Sequence, residues 1–222
     1  MNEPTPGPPG ETAPSRGGPS AWKLALVIAI AAFAAAIVLS GQATRWFGKP
    51  PPAVFHGRDI TPEHWDGAFA LADADGKPRT LADFRGKVVL LSFGYTHCPD
   101  VCPTTLAKFA EVRRLLGADG GRVQGVFVTI DPERDTAELL RAYVPAFDAT
   151  FVGLRGTEAQ TDAVTKAFHA NYQIVQYQGN TLVDHTASTY IIDAAGVPRV
   201  LSPYDQSARA LADDVLALLK AG

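Results

Sequence analysis

Apolar residues recur along the chain from about residue 69 in alternating strand-like and helix-like patterns. The expected strands are the two arms of a hairpin over 69–80, with an Asp-Gly turn, and runs at 87–93, 123–130, 172–178, 186–192 and 197–201. The expected helices are 103–116, a segment opened by Asp135 and Thr136 and ending near 146, a segment opened by Thr157 and ending near 170, and a last helix after Ser207. Strands that alternate with helices predict an α/β domain.

The order of these elements, with two cysteines at the start of the first helix, resembles the thioredoxin-like fold. That fold has a central mixed sheet flanked by helices, and we place it at residues 56–222. The chain has 222 residues and a net charge of −3, so nothing in it indicates nucleic-acid binding.

The first quarter of the chain has a different composition. Residues 1–20 contain six prolines and four glycines and are expected to form a disordered tail. Residues 24–39 contain no polar side chain, and with their flanks they predict a transmembrane helix at 21–40, with Trp22 and Trp46 as interfacial anchors. We interpret it as a retained signal anchor, followed by a linker at 41–55.

A cleaved signal peptide is the alternative, since 41–43 is a tolerable cleavage context, but the apolar run is longer than usual for one. A mitochondrial presequence fits poorly, because the amino terminus is acidic and lacks an amphipathic arginine pattern. Basic residues flank the run on both sides and leave its orientation open. Both interpretations export the domain.

The candidate chemistry lies at Cys98 and Cys102, the only two cysteines of the chain. They sit at a strand-to-helix junction, where helix N–H groups and the helix dipole favour a thiolate. Three interpretations stay open on the residues alone: a structural disulfide, thiol–disulfide exchange, and metal binding by both thiolates. The disulfide would close too short a loop to stabilise the fold much. The four-residue offset departs from the C-x-x-C redox motif.

A metal site needs a third ligand, and the chain has five histidines. His56, His64 and His169 are expected at the surface, and His97 points away from its neighbour Cys98. His185 precedes a core strand, and in thioredoxin-like folds the loop entering that strand faces the start of the active helix. The chain has no proline between 184 and 192, where thioredoxins place a cis-proline.

Two thiolates and one imidazole, Cys98, Cys102 and His185, would form a soft three-ligand site, with Asp184 able to orient the imidazole. Structural zinc prefers four protein ligands, whereas Cu(I) prefers thiolates and tolerates low coordination. Copper, as Cu(I) with Cu(II) as its other state, therefore fits best.

The run Phe-Gly-Tyr-Thr-His-Cys-Pro-Asp-Val-Cys-Pro-Thr-Thr-Leu at 93–106 resembles the signature of the Sco/SenC family of copper-binding cytochrome oxidase assembly proteins. The segments at 131–136 and 183–186 are similar to family segments too. The likeness runs from about residue 69 to the last helix. One departure is Thr181, where the family often has tyrosine.

The resemblance implies a thioredoxin-like metallochaperone that binds copper through Cys98, Cys102 and His185. It would deliver copper to the binuclear centre of cytochrome c oxidase subunit II, with other copper chaperones and thiol reductants as further partners. Its domain would face the periplasmic or extracytoplasmic side of the inner (plasma) membrane from a single-pass anchor. The alternative is an enzyme, a thiol–disulfide reductase that keeps the cysteines of subunit II reduced and cycles through a Cys98–Cys102 disulfide.

Overall fold

The computed structural model describes residues 21–47, 54–177 and 180–221, and describes the backbone alone at 21, 39–47, 174–177 and 180–185. The predicted tail at 1–20 lies outside the described residues. The chain divides into two units, residues 1–51 and 52–222.

Among the residues of the first unit that the structure describes, one helix forms, α1, at Ala21–Phe47. This helix covers the predicted span at 21–40 and continues to Phe47, into the segment predicted as a linker. Its described side chains are mostly exposed and apolar, for example Phe33 and Ile30. No helix among the described residues reaches the length and hydropathy required of a membrane span. The anchor therefore stays a prediction.

The second unit contains ten strands and four helices among its described residues. The strands are β1 (Arg58–Asp59), β2 (Ala70–Asp73), β3 (Pro78–Thr80), β4 (Val88–Gly94), β5 (Val123–Thr129), β6 (Val152–Arg155), β7 (Tyr172–Tyr177), β8 (Asn180–His185), β9 (Thr189–Ile192) and β10 (Pro198–Ser202). The helices are α2 (Val101–Leu115), α3 (Ala137–Tyr143), α4 (Glu158–Ala167) and α5 (Ala208–Ala221).

Eight strands form one mixed sheet in the order β1-β10-β9-β4-β5-β6-β2-β3. β4, β5 and β6 are parallel neighbours, while β9 runs antiparallel to β4 and the flanking strands are antiparallel. β7 and β8 pair with each other as a separate two-stranded sheet. Every residue of β4 and β5 is buried. Helices pack against this sheet, so the prediction of a thioredoxin-like fold is confirmed.

Two helix boundaries differ from the predicted ones for local reasons. α2 begins at Val101 rather than 103, because Pro103 falls in the first turn, where the missing N–H has no helical partner to lose. α4 ends at Ala167, and His169 adopts a left-handed backbone with φ 51°. The helix caps expected at Thr157 and Ser207 are present. Thr157 forms a capping box with Gln160, and Ser207 accepts a hydrogen bond from the Ala210 N–H at 3.2 Å.

The predicted strand at 186–192 is wrong in its first half. Strand β9 starts only at Thr189, and residues 186–188 are irregular. The preceding segment, Asn180–His185, forms β8, which the sequence pattern did not indicate. His185 is therefore the last residue of a hairpin strand rather than part of an open loop.

Candidate metal centre

The two cysteines lie where the central strand β4 passes into α2. After the strand, the Cys98 N–H donates to the Tyr95 carbonyl at 3.2 Å and closes a turn. Cys102 lies in the first turn of the helix, and its N–H donates to the Cys98 Sγ at 3.5 Å. One of the N–H groups at the helix start, which have no carbonyl partner within the helix, thus points at the first sulfur.

The two sulfurs have different surroundings. Cys98 is half-buried, whereas Cys102 is only 3% exposed, and no disulfide joins them. Burial raises the pKa of the Cys102 thiol well above its ordinary value, and the neighbouring Cys98 and Asp135 act in the same direction. At Cys102, burial therefore opposes the thiolate that the helix start is expected to favour.

Close packing above the second cysteine requires a glycine at the end of β4. A Cβ added to Gly94 would lie 2.7 Å from the Cys102 Sγ and 2.7 Å from the Phe127 ring. Real Cβ atoms do not come that close to other heavy atoms, so only glycine leaves room for the buried sulfur. The absence of a side chain at Gly94 therefore lets the Cys102 sulfur pack against the end of β4.

A buried carboxylate from the loop after β5 holds the turn in front of Cys98. The Thr96 N–H donates to the Asp135 Oδ2 at 3.0 Å, and the Thr96 Oγ1 donates to the Oδ1 at 2.5 Å. Sequence reasoning assigned Asp135, with Thr136, to the start of a helix. Thr136 alone is the cap, accepting from the Leu139 N–H at 3.2 Å. The family-like segment at 131–136 was the signal that could have pointed to this role.

The chain directly after His185 lies beside Cys102. β8 ends at His185, opposite Tyr172 in the hairpin. Ala187 and Ser188 line a cavity of about 10 Å³ together with Cys102 and its neighbours. Because two residues of chain span at most about 7 Å, the backbone of His185 lies within that distance of Ala187. The side chains of Asp184 and His185 lie outside the described side chains.

The other four histidines are exposed, as expected. His97 has a side chain 52% exposed, with its Nδ1 3.2 Å from the Thr96 Oγ1 and 3.7 Å from the Asp135 Oδ1. His169 stacks against a tryptophan ring at 4.6 Å. Among the side chains that the structure describes, no group of three His, Cys, Asp or Glu could hold a metal ion. The ligand set Cys98, Cys102 and His185 stays a prediction, since one member is not among them.

Three comparisons with known proteins bear on this site. The family described as SCO1/SenC matches residues 58–220. The chain is 38% identical over 153 residues to the mitochondrial SCO2 homolog of Bos taurus, a match that covers 67% of this chain and 58% of that protein. The chain thus spans less than two thirds of the length of that relative.

The structure of Bradyrhizobium japonicum ScoI with copper bound has a TM-score of 0.62 and 36% identity, covering 68% of this chain and 97% of that one. BsSco, described as a member of the Sco family of cytochrome c oxidase assembly proteins with a disulfide switch, shares the fold. Its TM-score is 0.55 at 21% identity, covering 73% of this chain and 94% of that one.

A mixed sheet with a dithiol at its central strand-to-helix junction defines a thioredoxin-like protein with a soft-metal or redox site. The extent of the family match then decides the class: the chain belongs to the SCO1/SenC family.

Proposed function

We propose that this protein is a copper chaperone that binds copper through Cys98, Cys102 and His185. The observation that carries the proposal is the convergence of the α2 start and the 186–188 segment on Cys102. Two sulfurs and one imidazole suit Cu(I), which prefers soft ligands. Copper is bound in the solved ScoI of Bradyrhizobium japonicum, which supports the same cargo here.

The acceptor that we propose is the binuclear copper centre of cytochrome c oxidase subunit II. The support is the membership in a family whose relative BsSco is described as a cytochrome c oxidase assembly protein. Delivery requires that copper leave readily, and a site with a half-buried Cys98 gives an incoming thiolate access to the metal.

We further propose that α1 anchors the protein in the inner (plasma) membrane, with the copper domain on the extracytoplasmic side. The apolar run at 24–39 supports an anchor. Relatives described as mitochondrial, such as the Bos taurus SCO2 homolog, support this proposal, because a mitochondrial membrane would be the corresponding location in those organisms.

The test is a Cu(I) titration of the reduced full-length protein against a chromophoric Cu(I) chelator, followed by transfer to apo subunit II. We expect stoichiometric binding in the wild type and a loss of about tenfold or more in affinity for His185→Ala, because one of three ligands is removed. His56→Ala is the matched control, since it removes an exposed imidazole that lies far from Cys98 in the sequence and should leave copper binding as in the wild type. Equal affinity in His185→Ala and wild type would refute the ligand set.

A second candidate function, thiol–disulfide reduction, is favoured by the asymmetry of the two sulfurs. The half-buried Cys98 thiolate would attack one sulfur of a subunit II disulfide, forming a mixed disulfide and releasing one target thiolate. The buried Cys102 would then attack the Cys98 Sγ, releasing the second target thiolate and leaving a Cys98–Cys102 disulfide. His185→Ala separates the two functions, because reduction needs only the sulfurs and would survive it.

A further inference from the structure

Asp135 is fully buried, yet it carries a carboxylate. Besides its two bonds from Thr96, it accepts a hydrogen bond from the Thr129 Oγ1 at 2.6 Å, so each of these partners donates to it. In each of these bonds a carboxylate oxygen of Asp135 is the acceptor. Burying a charge is unfavourable unless donors compensate it. Two of the donor groups here belong to Thr96, in the turn that carries Cys98, and the third belongs to Thr129 at the end of β5.

The loop that bears this carboxylate contacts the turn at two successive residues. The Arg134 guanidinium lies 5.6 Å from the centre of the Tyr95 ring, and Asp135 binds Thr96. The Tyr95 carbonyl in turn accepts the Cys98 N–H at 3.2 Å. A short path of contacts therefore leads from the Asp135 carboxylate to the backbone of Cys98.

Other buried aspartates also hold turns, which makes a purely structural role the alternative. Asp214, also fully buried, accepts bonds from the N–H groups of His56 at 2.6 Å and Gly57 at 3.0 Å, and from the Gln206 side chain at 2.8 Å. Asp135 differs in its neighbours, because it binds Thr96, two residues before Cys98, whereas the bonds to Asp214 come from His56, Gly57 and Gln206.

Resting on the proposed copper site, we propose that Asp135 is a positioning residue for copper capture that fixes the Cys98 turn and keeps a carboxylate against that turn. The first effect keeps Cys98 in place before the metal arrives, which strengthens binding. The second effect favours the more highly charged metal ion, because attraction to a fixed anion grows with ionic charge. The carboxylate therefore stabilises Cu(II) relative to Cu(I) and lowers the midpoint potential of bound copper.

The variant that tests this is Asp135→Asn, which keeps the size of the side chain and removes the charge and one acceptor oxygen. Asp214→Asn is the matched control, since it makes the same change at an equally buried aspartate that also binds backbone N–H groups. Three quantities are measured in both full-length variants: hydrogen exchange of the Thr96 amide without copper, the Cu(I) dissociation constant, and the Cu(II)/Cu(I) midpoint potential.

For Asp135→Asn we expect Thr96 exchange to accelerate by about tenfold or more, and the Cu(I) dissociation constant to rise by a similar factor, because a hydrogen bond to a charged group is replaced by a weaker one. The midpoint potential should rise. In Asp214→Asn the Cu(I) dissociation constant and the midpoint potential should stay within about twofold of the wild type, because this aspartate binds His56, Gly57 and Gln206 and no residue of the cysteine turn. An unchanged potential in Asp135→Asn, or an equal shift in Asp214→Asn, would overturn the proposal.

If Asp135→Asn does not fold, Thr96→Val and Thr96→Ser replace it. Thr96→Val removes the hydroxyl that donates to the carboxylate and should weaken Cu(I) binding, while Thr96→Ser restores the donor and should recover the affinity. Equal affinity in both would overturn the proposal. Failure of the proposed function is recognised separately: a wild type that binds no copper refutes the copper site, while the Thr96 exchange rates still show whether Asp135 holds the turn.

Discussion

The turn that carries the two cysteines is tied to the main sheet, whereas the hairpin that ends at His185 forms a small sheet of its own. The cysteine turn grows out of the fully buried β4, is held by Asp135, and seats the Cys102 sulfur against Gly94. The hairpin is fastened at its base, where the Thr186 N–H donates to the Asn171 carbonyl at 2.9 Å.

This difference indicates that the two parts of the site differ in how firmly the rest of the fold holds them. Groups held by the core keep their geometry whether or not metal is present, because the packed interior tolerates few alternatives. A two-stranded hairpin is marginally stable by itself. We infer that the sulfurs form a preset half of the site and that the hairpin supplies the half whose position responds to the cargo.

The largest expected effect comes from breaking the preset half. Gly94→Ala places a methyl group 2.7 Å from the Cys102 Sγ and from the Phe127 ring. We expect the free energy of unfolding to fall by about 1–3 kcal/mol, the usual range for overpacking a core, together with weaker Cu(I) binding. Urea denaturation and Cu(I) competition measure the two effects.

The control for this substitution is Gly121→Ala, at a glycine where an added Cβ meets nothing within 4 Å. It should leave the copper affinity unchanged and the stability nearly so. If Gly94→Ala bound copper with wild-type affinity, the packing around the Cys102 sulfur would not be rigid, and the sulfurs would not form a preset half of the site.

The next effect is a pH dependence of copper binding to which the buried Cys102 contributes. Because burial raises the pKa of Cys102, its thiol is protonated at neutral pH, and copper must displace that proton. The apparent Cu(I) affinity should therefore rise with pH, by up to about tenfold per pH unit for each proton displaced. Titrations at a series of pH values measure the slope, which should be smaller by one proton in Cys102→Ser. A flat profile would contradict the assignment of Cys102 as a ligand.

The smallest expected effect is on the base of the hairpin. Tyr172 donates from its hydroxyl to the Asp162 Oδ1 at 2.5 Å, and burial together with this carboxylate raises its pKa to about 12. The phenol therefore stays a donor across the physiological range. Tyr172→Phe should lower the free energy of unfolding by about 0.5–1.5 kcal/mol, the net value of one hydrogen bond, and weaken Cu(I) binding a few-fold.

Tyr204→Phe is the matching control, since the ring that lies 5.1 Å from the Lys108 ammonium is kept and the hairpin is not touched. It should leave Cu(I) binding as in the wild type. Faster hydrogen exchange in β7 and β8 of Tyr172→Phe would show that this hydrogen bond stabilises the hairpin. Weaker copper binding without any change in the exchange of the hairpin would show that Tyr172 does not act through it.

Local patterns predicted the elements that build the cysteine half of the site. The apolar runs at 87–93 and 123–130 became β4 and β5 within one residue at each end, because a strand that is buried on both faces is largely apolar. The start of α4 was predicted from the capping residue Thr157, whose side chain accepts a hydrogen bond from the helix. The spacing of Cys98 and Cys102, between an apolar strand and a helix, predicted that the two thiols lie together at a strand-to-helix junction.

The sequence by itself thus determined the α/β class, the dithiol and the family signature at 93–106, since these depend on neighbouring residues and their periodicity. Only the tertiary structure decided which sulfur is buried, that Gly94 makes room for Cys102, and that Asp135 turns away from its helix to hold Thr96. The last of these facts depends on a contact between two residues that are 39 apart in the chain. Burial and long-range hydrogen bonds arise from packing in three dimensions, which no local pattern of apolar and polar residues encodes.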